Sequence, residues 1–524
     1  ASDETAGYAP VVSAQIERDR RLRSSLLRRS LQFEPGALYN RSELLATKRR
    51  LESTGIFTFT NITPLLGDTL HVAGVPEPLL PHRLELRTRP RHRLRAEMFM
   101  LQRSEVLPGA ENELGTGIGF TYENANLFGG GETLRLGTSG SVAADFDSTL
   151  FSSAQAEVTA SLTSPYLIRP FDWLDDALNL YNARTRVSVS LLSARRDQLR
   201  LNIRGRGVAR LQLEMQHTPT ITSLVDVLDL SLSNPDTLEG FRKQFLDRVI
   251  GTGDSLIITD PVQQAQIRED YTKPQLNTAF RYTLRAANTN PLRRERGYSY
   301  EASAEIGNTV LRRDSTSLQS DESSRLAYRP YVRFVTDLRR YKPLSRGTVL
   351  ASKFIAGVAQ PIGRSADVVP FDRRFYAGGA SSVRGWGLRE LGPGRATLET
   401  TATSGAGATN LLGGDVKLEA SLELRTTLLR EVLAANWVGA AFVDAGNVWF
   451  GPRHPGDPAG RFAFPDFLSE IGVGTGIGMR WAWDYLIVRL DLAYRVHDPL
   501  PQQEGFFPDG LRRPQLHFGI GHAF

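Results

Sequence analysis

The chain has 524 residues, a formal net charge of +6 and no cysteine, so disulfide frameworks, cysteine zinc sites and thiol nucleophiles are excluded. Its mean hydropathy is −0.26, and no uncharged apolar run reaches about 18 residues, which excludes membrane-spanning helices. A soluble protein and a transmembrane β-barrel both fit these averages, because barrel strands alternate apolar and polar residues. The positive charge comes from scattered arginines without a recognised nucleic-acid motif, so we expect no nucleic-acid partner.

Residues 26–92 are predicted to form a small α/β domain. The segment 40–55 predicts a helix in which Asn40 is the N-cap, Glu43 completes a capping box and Gly55 ends the helix. Alternating side chains predict strands over 56–62 and 82–89, and an earlier helical stretch covers about 13–30. Residues 1–25 are interpreted as an N-terminal extension or the remnant of a preceding region. Because the chain begins at Ala1, we expect a removed signal peptide or a longer parent protein.

From about residue 93 the pattern changes to segments of about ten residues that alternate apolar and polar side chains, separated by turn residues. Ten extended residues tilted by about 40° span about 25 Å, the height of the apolar band of an outer-membrane barrel. A large soluble β-protein remains an alternative. Sixteen strands are predicted, over residues 94–104, 113–123, 132–142, 154–164, 183–193, 196–205, 207–217, 275–286, 298–308, 326–337, 347–358, 415–425, 437–445, 471–481, 485–495 and 514–524.

The predicted strands give a consistent arrangement of loops. If the small domain is periplasmic, the odd-to-even connections lie outside the cell, and they include the long loops 218–274, 359–414 and 446–470. The even-to-odd connections are mostly short, except for 165–182. Short inner turns and long outer loops are typical of outer-membrane barrels. The sequence therefore predicts an all-β transmembrane barrel of about 16 antiparallel strands over 93–524, following the α/β domain.

Two strands near the C-terminal end show which face is which. The segment 417–425 separates an apolar face from a polar face that carries Glu423, and in 437–445 Asp444 shares a face with Phe442. A soluble sandwich would bury the apolar face, whereas a barrel would turn it towards lipid. One strand fits both, and sixteen such strands with an aromatic C-terminus favour the barrel.

Glycines recur with period two in the segment 471–478. They fall on one face, which predicts a bare inner wall that another segment of the chain approaches closely; the residues are Gly472, Gly474, Gly476 and Gly478. A dinucleotide-binding loop has a different glycine spacing. In the final strand, Gly519 and Gly521 are predicted to face inward and Leu516, Phe518, Ile520 and Phe524 outward.

The long connection 359–414 carries a glycine-rich stretch with Val383, Arg384, Gly385 and Trp386 near its tip. A phosphate-binding loop is disfavoured, because the P-loop pattern and a following helix are missing. A plain surface loop is a second interpretation. In the third, the loop folds back into the lumen, where the Arg384 guanidinium meets the inward carboxylates of Glu423 and Asp444.

The VRGW tetrapeptide resembles the VRG[FY] signature in the sixth extracellular loop of the BamA/TamA superfamily of outer-membrane assembly and transport barrels. The tract 441–449 resembles that family's F-x-D-x-G strand motif, matched by Phe442, Asp444 and Gly446. Residues 33–57 resemble the second half of a POTRA domain, the periplasmic module of these barrels. Phe524, with Phe518, Gly519 and Gly521 before it, fits the C-terminal β-signal.

The resemblance implies a sixteen-stranded barrel in which Arg384 bonds Asp444, and Glu423 as a further partner, so that the loop stays inside. It also implies periplasmic placement of the POTRA domain over 26–92. Two departures stand out: Trp386 replaces the usual Phe or Tyr, and one POTRA is visible where BamA-type proteins carry five and TamA-type proteins three.

The resemblance further implies an assembly factor that inserts client outer-membrane proteins by strand pairing at a lateral seam. Its expected partners are unfolded client barrels, outer-membrane lipids including lipopolysaccharide, and accessory lipoproteins or periplasmic subunits. A secretion pore of the two-partner type is the main alternative, and a passive porin is a further one. Hydrolase and metalloprotease motifs are missing and the eight histidines lack ligand spacing, so we expect no enzyme activity, metal or cofactor.

Overall fold

The computed structural model describes residues 22–33, 39–65, 80–102, 114–144, 153–196, 201–241, 261–290, 292–309, 329–363, 367–396, 412–500 and 514–524. Within these ranges, no helix is long and apolar enough to cross a membrane.

The N-terminal part forms two helices and a two-stranded antiparallel sheet: α1 Ser24–Ser30, α2 Arg41–Ser53, β1 Phe57–Pro64 and β2 His82–Thr88. The Asn40 side chain accepts a hydrogen bond from the amide of Ser42 and donates one to Glu43, and Gly55 has a φ of +70°. The predicted cap and stop of this helix are therefore confirmed. Of the predicted helical stretch 13–30, residues 13–21 lie outside the described residues.

Sixteen further strands form one antiparallel sheet in which neighbours in sequence are neighbours in space. Helix α3 (Trp173–Leu178) lies between the fourth and fifth of them, and α4 (Pro261–Thr272) between the seventh and eighth. The strands are β3 His92–Gln102, β4 Leu114–Ala125, β5 Thr133–Ala144, β6 Ser153–Ser164, β7 Asn182–Arg196, β8 Leu201–Gln216, β9 Ile221–Thr237, β10 Gln275–Ala287, β11 Gly297–Gly307, β12 Tyr331–Ser345, β13 Thr348–Pro361, β14 Val416–Val432, β15 Ala435–Trp449, β16 Gly472–Ala482, β17 Ile487–His497 and β18 Gln515–Ile520.

The predicted number of strands is right, but two predictions behind it are wrong. The segments 196–205 and 207–217 were predicted as separate strands, whereas one strand, β8, joins the second half of the first segment to nearly all of the second, with a register shift between Ile203 and Gly205. Strand β9 lies within the predicted loop 218–274. Its inward carboxylates, Asp226 and Asp229, are three residues apart because the register shifts between them, which removes the period-two signal.

Contacts across the lumen show that the sheet is rolled into a barrel. Arg373, in the connection between β13 and β14, bonds Glu305 of β11 at 2.6 Å, while the same connection meets His517 of β18. The turn after β10 meets the turn after β16 through Arg293 and Asp484, at 2.9 Å. Strands β3 and β18 stand at the two ends of the sheet order, and no ladder joins them among the described residues.

The two faces of the barrel wall are as predicted. On β14, Glu423 is 0 % exposed and points into the lumen, whereas Leu422 is 55 % exposed on the outer face. On β15, Asp444 is buried and Val443 lies outside. A polar interior with apolar side chains outside is the reverse of a soluble protein and suits a lipid environment.

The N-terminal elements dock on the even-to-odd end of the barrel. Arg50 of α2 forms two hydrogen bonds of 2.6 and 2.7 Å with Asp175 of α3, and the amide of Arg23 donates to Gly129 in the turn after β4. Leu26 and Leu51 form a small core with Ala125 at the end of β4. The long odd-to-even connections therefore lie at the opposite end.

Candidate functional site

The connection between β13 and β14 enters the lumen instead of lying on the surface. We call residues 367–396 the plug loop. It is fixed along its length: Phe375 and Gly414 form a β-bridge, and the Lys417 ammonium donates to the carbonyl of Tyr376 at 2.9 Å. Nearer the tip, the Ser382 hydroxyl donates to the buried Glu419 carboxylate at 2.6 Å.

The tip of the plug loop is a tight reversal built on glycine. Gly378 and Gly379 have φ values of +95° and +108°, a region that other L-residues rarely adopt. The amide of Gly379 donates to the carbonyl of Trp386 at 3.0 Å and closes the reversal. All four residues of the VRGW tetrapeptide are buried as a result.

Arg384 reaches both predicted carboxylates. Its Nε lies 2.7 Å and its Nη2 2.9 Å from the two oxygens of Asp444, and its Nη1 lies 2.6 Å from Glu423. The Asp444 carboxylate also accepts from the Arg384 amide at 3.1 Å. The guanidinium stacks on the Phe442 ring, 3.4 Å from its centroid. A planar fork with two carboxylate partners suits arginine and no other cation.

Arg384 is one member of a larger network, which we call the Arg384 cluster. Asp491 of β17 accepts from Arg480 at 2.5 Å and from Arg489 at 2.7 Å, and lies 3.4 Å from Arg384. Glu423 also accepts from Arg425 at 2.8 Å and Arg480 at 3.0 Å. The cluster consists of Arg384, Glu423, Arg425, Asp444, Arg480, Arg489 and Asp491.

The sequence analysis named three of these seven residues. Arg480 lies on the inward face of the predicted glycine wall, two residues after Gly478, and Asp491 occupies the polar face of the alternating segment 487–495. Extending the alternation along these strands would have marked both as inward. That they meet Arg384 depends on the register between neighbouring strands.

The glycine wall is the surface on which the tip packs. A Cβ atom on Gly474 would lie 2.9 Å from the Gly385 amide nitrogen, and one on Gly472 would lie 2.8 Å from the Trp386 ring. At Gly476 and Gly478 a Cβ would instead meet Phe442 and the Asp491–Arg480 pair. Glycine is therefore required at each position, and at Gly472 and Gly474 the reason is the plug loop itself.

The remaining motif residues support the same packing. Trp386 is 2 % exposed and packs with Val383 and Val448, while the Arg495 guanidinium lies 5.3 Å from its ring centroid. A Cβ atom on Gly446 would lie 2.6 Å from the carbonyl of Leu418, so this glycine allows β14 and β15 to approach closely.

The C-terminal residues differ from the prediction. Strand β18 ends at Ile520, and Gly521, with a φ of +84°, turns the chain into the lumen. Phe524, predicted to face outward, is 1 % exposed and packs against Tyr341 and Ala351 inside the barrel. Gly519 faces inward as predicted, next to the Arg489 side chain. Phe518 lies on the outer face and is half-buried.

The arrangement holds the plug loop in place through buried ion pairs. Each acidic group of the Arg384 cluster is paired with arginine, and no group of three or more His, Asp or Glu side chains among the described residues could hold a metal ion. Its chemical capacity is to keep this loop at a fixed position in the lumen of the barrel.

The fold and this site define a class: an outer-membrane β-barrel whose lumen is filled by its own arginine-held loop. The model of the Omp85 superfamily domain matches residues 126–524, and the chain belongs to this superfamily. It is therefore an integral outer-membrane barrel of a superfamily that serves protein insertion or secretion.

Two solved structures match the chain at low sequence identity, and the first of them shares its fold. BamA from Haemophilus ducreyi lacking POTRA domains 1–3 matches with a TM-score of 0.56 and 16 % identity, covering 95 % of this chain and 81 % of that chain. CdiB from Acinetobacter baumannii matches with a TM-score of 0.49 and 14 % identity, covering 96 % and 72 %.

Proposed function

We propose that this protein inserts client outer-membrane proteins into the bilayer by pairing their strands with the seam between β3 and β18. The observation that carries the proposal is the edge of β3. This strand has eleven residues and pairs only with β4 among the described strands. An edge of that length presents backbone donors and acceptors on which another strand can add.

The surroundings of β3 suit an incoming strand in lipid. Its outward side chains are strongly exposed, with Leu94 at 77 %, Met98 at 83 % and Met100 at 70 %. They lie on the membrane side, where a client strand would keep its own apolar face towards lipid. Strand addition satisfies the backbone polar groups that the bilayer core cannot hydrate, so no covalent step is needed and no enzyme activity is proposed.

The N-terminal α/β module, over 26–92, is proposed to be a periplasmic POTRA domain. Its support is the resemblance of residues 33–57 to that module and its docking on the end of the barrel with the short turns. Strand β2 pairs only with β1 among the described strands, which leaves an edge for unfolded clients. Lipopolysaccharide, accessory lipoproteins and periplasmic subunits are proposed as further partners.

The plug loop argues against a passive porin, because buried ion pairs hold it across the lumen. A secretion pore of the two-partner type would have a plug helix near its N-terminus. Helix α1 instead belongs to the N-terminal module: its Leu26 shares a core with Leu51 and Phe57 at the even-to-odd end of the barrel. Residues 1–21 lie outside the described residues.

Site-directed cross-linking tests the proposal directly, since the chain has no cysteine of its own. Met98→Cys on β3 should form a disulfide with a cysteine in the terminal strand of a client barrel during insertion into liposomes. Leu422→Cys is the matched control, because it is also exposed to lipid but lies on β14, between two paired neighbours.

Equal cross-linking at both positions, or no acceleration of client folding by the wild-type protein, would contradict the insertase. Single-channel recording separates the alternatives in the same liposomes. A steady, large conductance in the wild-type protein would favour a porin.

A further inference from the structure

His517 connects the seam strand β18 to the plug loop. Its Nε2 lies 2.8 Å from the main-chain oxygen of Arg384. A carbonyl oxygen only accepts hydrogen bonds, so the imidazole donates. The side chain is 3 % exposed, and its Nδ1 has no hydrogen-bond partner within the described part of the chain. Within the described part of the chain, the imidazole of His517 is therefore held by its hydrogen bond to the Arg384 carbonyl.

A second connection follows β18 directly. We call residues 521–524 the C-terminal hook. The main-chain oxygen of Phe524 accepts from Arg425 at 3.0 Å, and its ring lies beneath the Arg425 and Lys353 side chains, 5.5 and 5.2 Å from their cationic groups. Arg425 in turn bonds Glu423, the carboxylate that also holds Arg384.

Both connections end on the Arg384 cluster from the side of the seam. His517 bonds the backbone of Arg384, while the Arg384 side chain is held by β14, β15 and β17 through Glu423, Asp444 and Asp491. Moving β18 away from its position therefore breaks a bond to the tip of the plug loop. Equally, moving the tip removes the acceptor of His517.

We propose that His517 is a positioning residue that couples the placement of β18 at the seam to the placement of the plug loop. The inference rests on the proposed function for its biological meaning, because β18 is the strand beside which a client would enter. Such coupling is reciprocal: the His517–Arg384 bond contributes the same free energy to the placement of the loop as to that of β18, so a change that breaks this bond loosens both.

Four variants test the coupling between β18 and the plug loop. His517→Phe keeps a ring of similar shape and removes the donor, whereas His517→Gln keeps a donor at a similar distance along the side chain. Leu516→Ala alters the same strand on its outer face, where the side chain is 61 % exposed and does not face the lumen. Arg384→Ala tests the reverse direction of the coupling.

Hydrogen–deuterium exchange of the full chain in lipid nanodiscs measures both ends at once. His517→Phe should raise exchange about five-fold in residues 515–520 and also in residues 383–386, the factor that one ordinary hydrogen bond contributes. His517→Gln should stay near the wild type at both. Leu516→Ala should affect β18 alone, and Arg384→Ala should raise exchange in β18 although it lies on another element.

Two results would overturn the coupling: faster exchange of β18 in His517→Phe with an unchanged plug loop, or a loop response to Leu516→Ala equal to that of His517→Phe. The measurement uses no client protein. The wild-type protein could fail to fold clients while His517→Phe still raised exchange in both β18 and the plug loop. That combination would contradict the proposed function and leave the coupling in place.

Discussion

Replacing Arg384 by alanine is the most direct perturbation of the plug loop. Asp444 is 0 % exposed, and among the ion pairs of the described residues its partner is Arg384. Glu423 keeps Arg425 and Arg480 after the change, so the loss concentrates on Asp444. Removing one partner of a buried pair costs about 3–5 kcal/mol, because an uncompensated charge is left inside. The placement of the loop should weaken by this amount.

Limited trypsin digestion reads this change as a rate. Arg389, within the plug loop, is buried in the folded protein and becomes a cleavage site when the loop opens. A loss of about 3–5 kcal/mol corresponds to cleavage about 10²- to 5 × 10³-fold faster, provided that opening and closing are rapid compared with cleavage. Arg384→Lys is the control, since it keeps the charge but cannot reach both oxygens of Asp444 as a fork.

A double-mutant cycle decides whether the pair itself is responsible. Arg384→Ala and Asp444→Asn each leave a buried group without its partner, so the double variant should cost about 2–3 kcal/mol less than the sum of the single variants. Strict additivity, or an unchanged cleavage rate in Arg384→Ala, would refute the reasoning that this pair positions the loop.

Three further predictions address other parts of the molecule. Gly474→Val should displace the tip, since even a Cβ there lies 2.9 Å from the Gly385 amide. Overpacking of about 1–3 kcal/mol should raise trypsin cleavage of the loop about 5- to 150-fold, whereas Val473→Ala on the outer face should not. Arg50→Ala should weaken docking of the N-terminal module by about 1 kcal/mol, because the Asp175 pair is partly exposed; unchanged hydrogen exchange at the α2–α3 contact would contradict this. Burial, with smaller contributions from Arg374 and Arg461, lowers the pKa of His454 to about 3. The unfolded chain therefore binds a proton below about pH 6.5 that the folded chain does not, and this residue should remove about 2 kcal/mol of stability on acidification from pH 7 to 5. In urea unfolding, His454→Asn should reduce the loss of stability over this range by about that amount.

The errors in the strand assignment have a local cause. Alternation locates a strand only while the register holds, and β8 and β9 both contain register shifts. The shift between Asp226 and Asp229 places two carboxylates three residues apart on the same face, where Arg281 bonds both at 3.4 and 3.2 Å. The alternation of apolar and polar residues is interrupted at that point, and the sequence pattern therefore predicts a loop.

The outward placement of Phe524 was wrong for a different reason. The alternation of 514–524 is interrupted on its outward face only by His522 before it reaches Phe524, so the sequence indicates a straight strand with an aromatic residue towards lipid. Gly521 permits a positive φ but does not require it. The inward turn is decided by what lies inside the barrel. The Phe524 ring fills an apolar site beside Tyr341 and Ala351, and its main-chain oxygen accepts a hydrogen bond from Arg425.

Period two along each strand, together with turn residues between them, was enough to predict a large antiparallel β-structure and to assign the faces of strands such as β14. The choice of a barrel with sixteen strands also drew on the family resemblance. The glycines of β16 likewise predicted a bare inner wall that another segment approaches, and the VRGW tip was a candidate for that segment. These features depend on neighbours within about ten residues, and that is the range over which strand geometry is set by local sequence.

Beyond the predicted pairing of Arg384 with Asp444 and Glu423, only the tertiary structure decided which charges meet. Arg384, Glu423, Asp444 and Asp491 come from one loop and three strands, and their distances depend on the relative register of β14, β15 and β17. That register is set by many weak backbone and side-chain contacts summed over the whole sheet. The same sum holds His517 and Phe524 against the Arg384 cluster, although no local pattern in the chain marks either residue for that role.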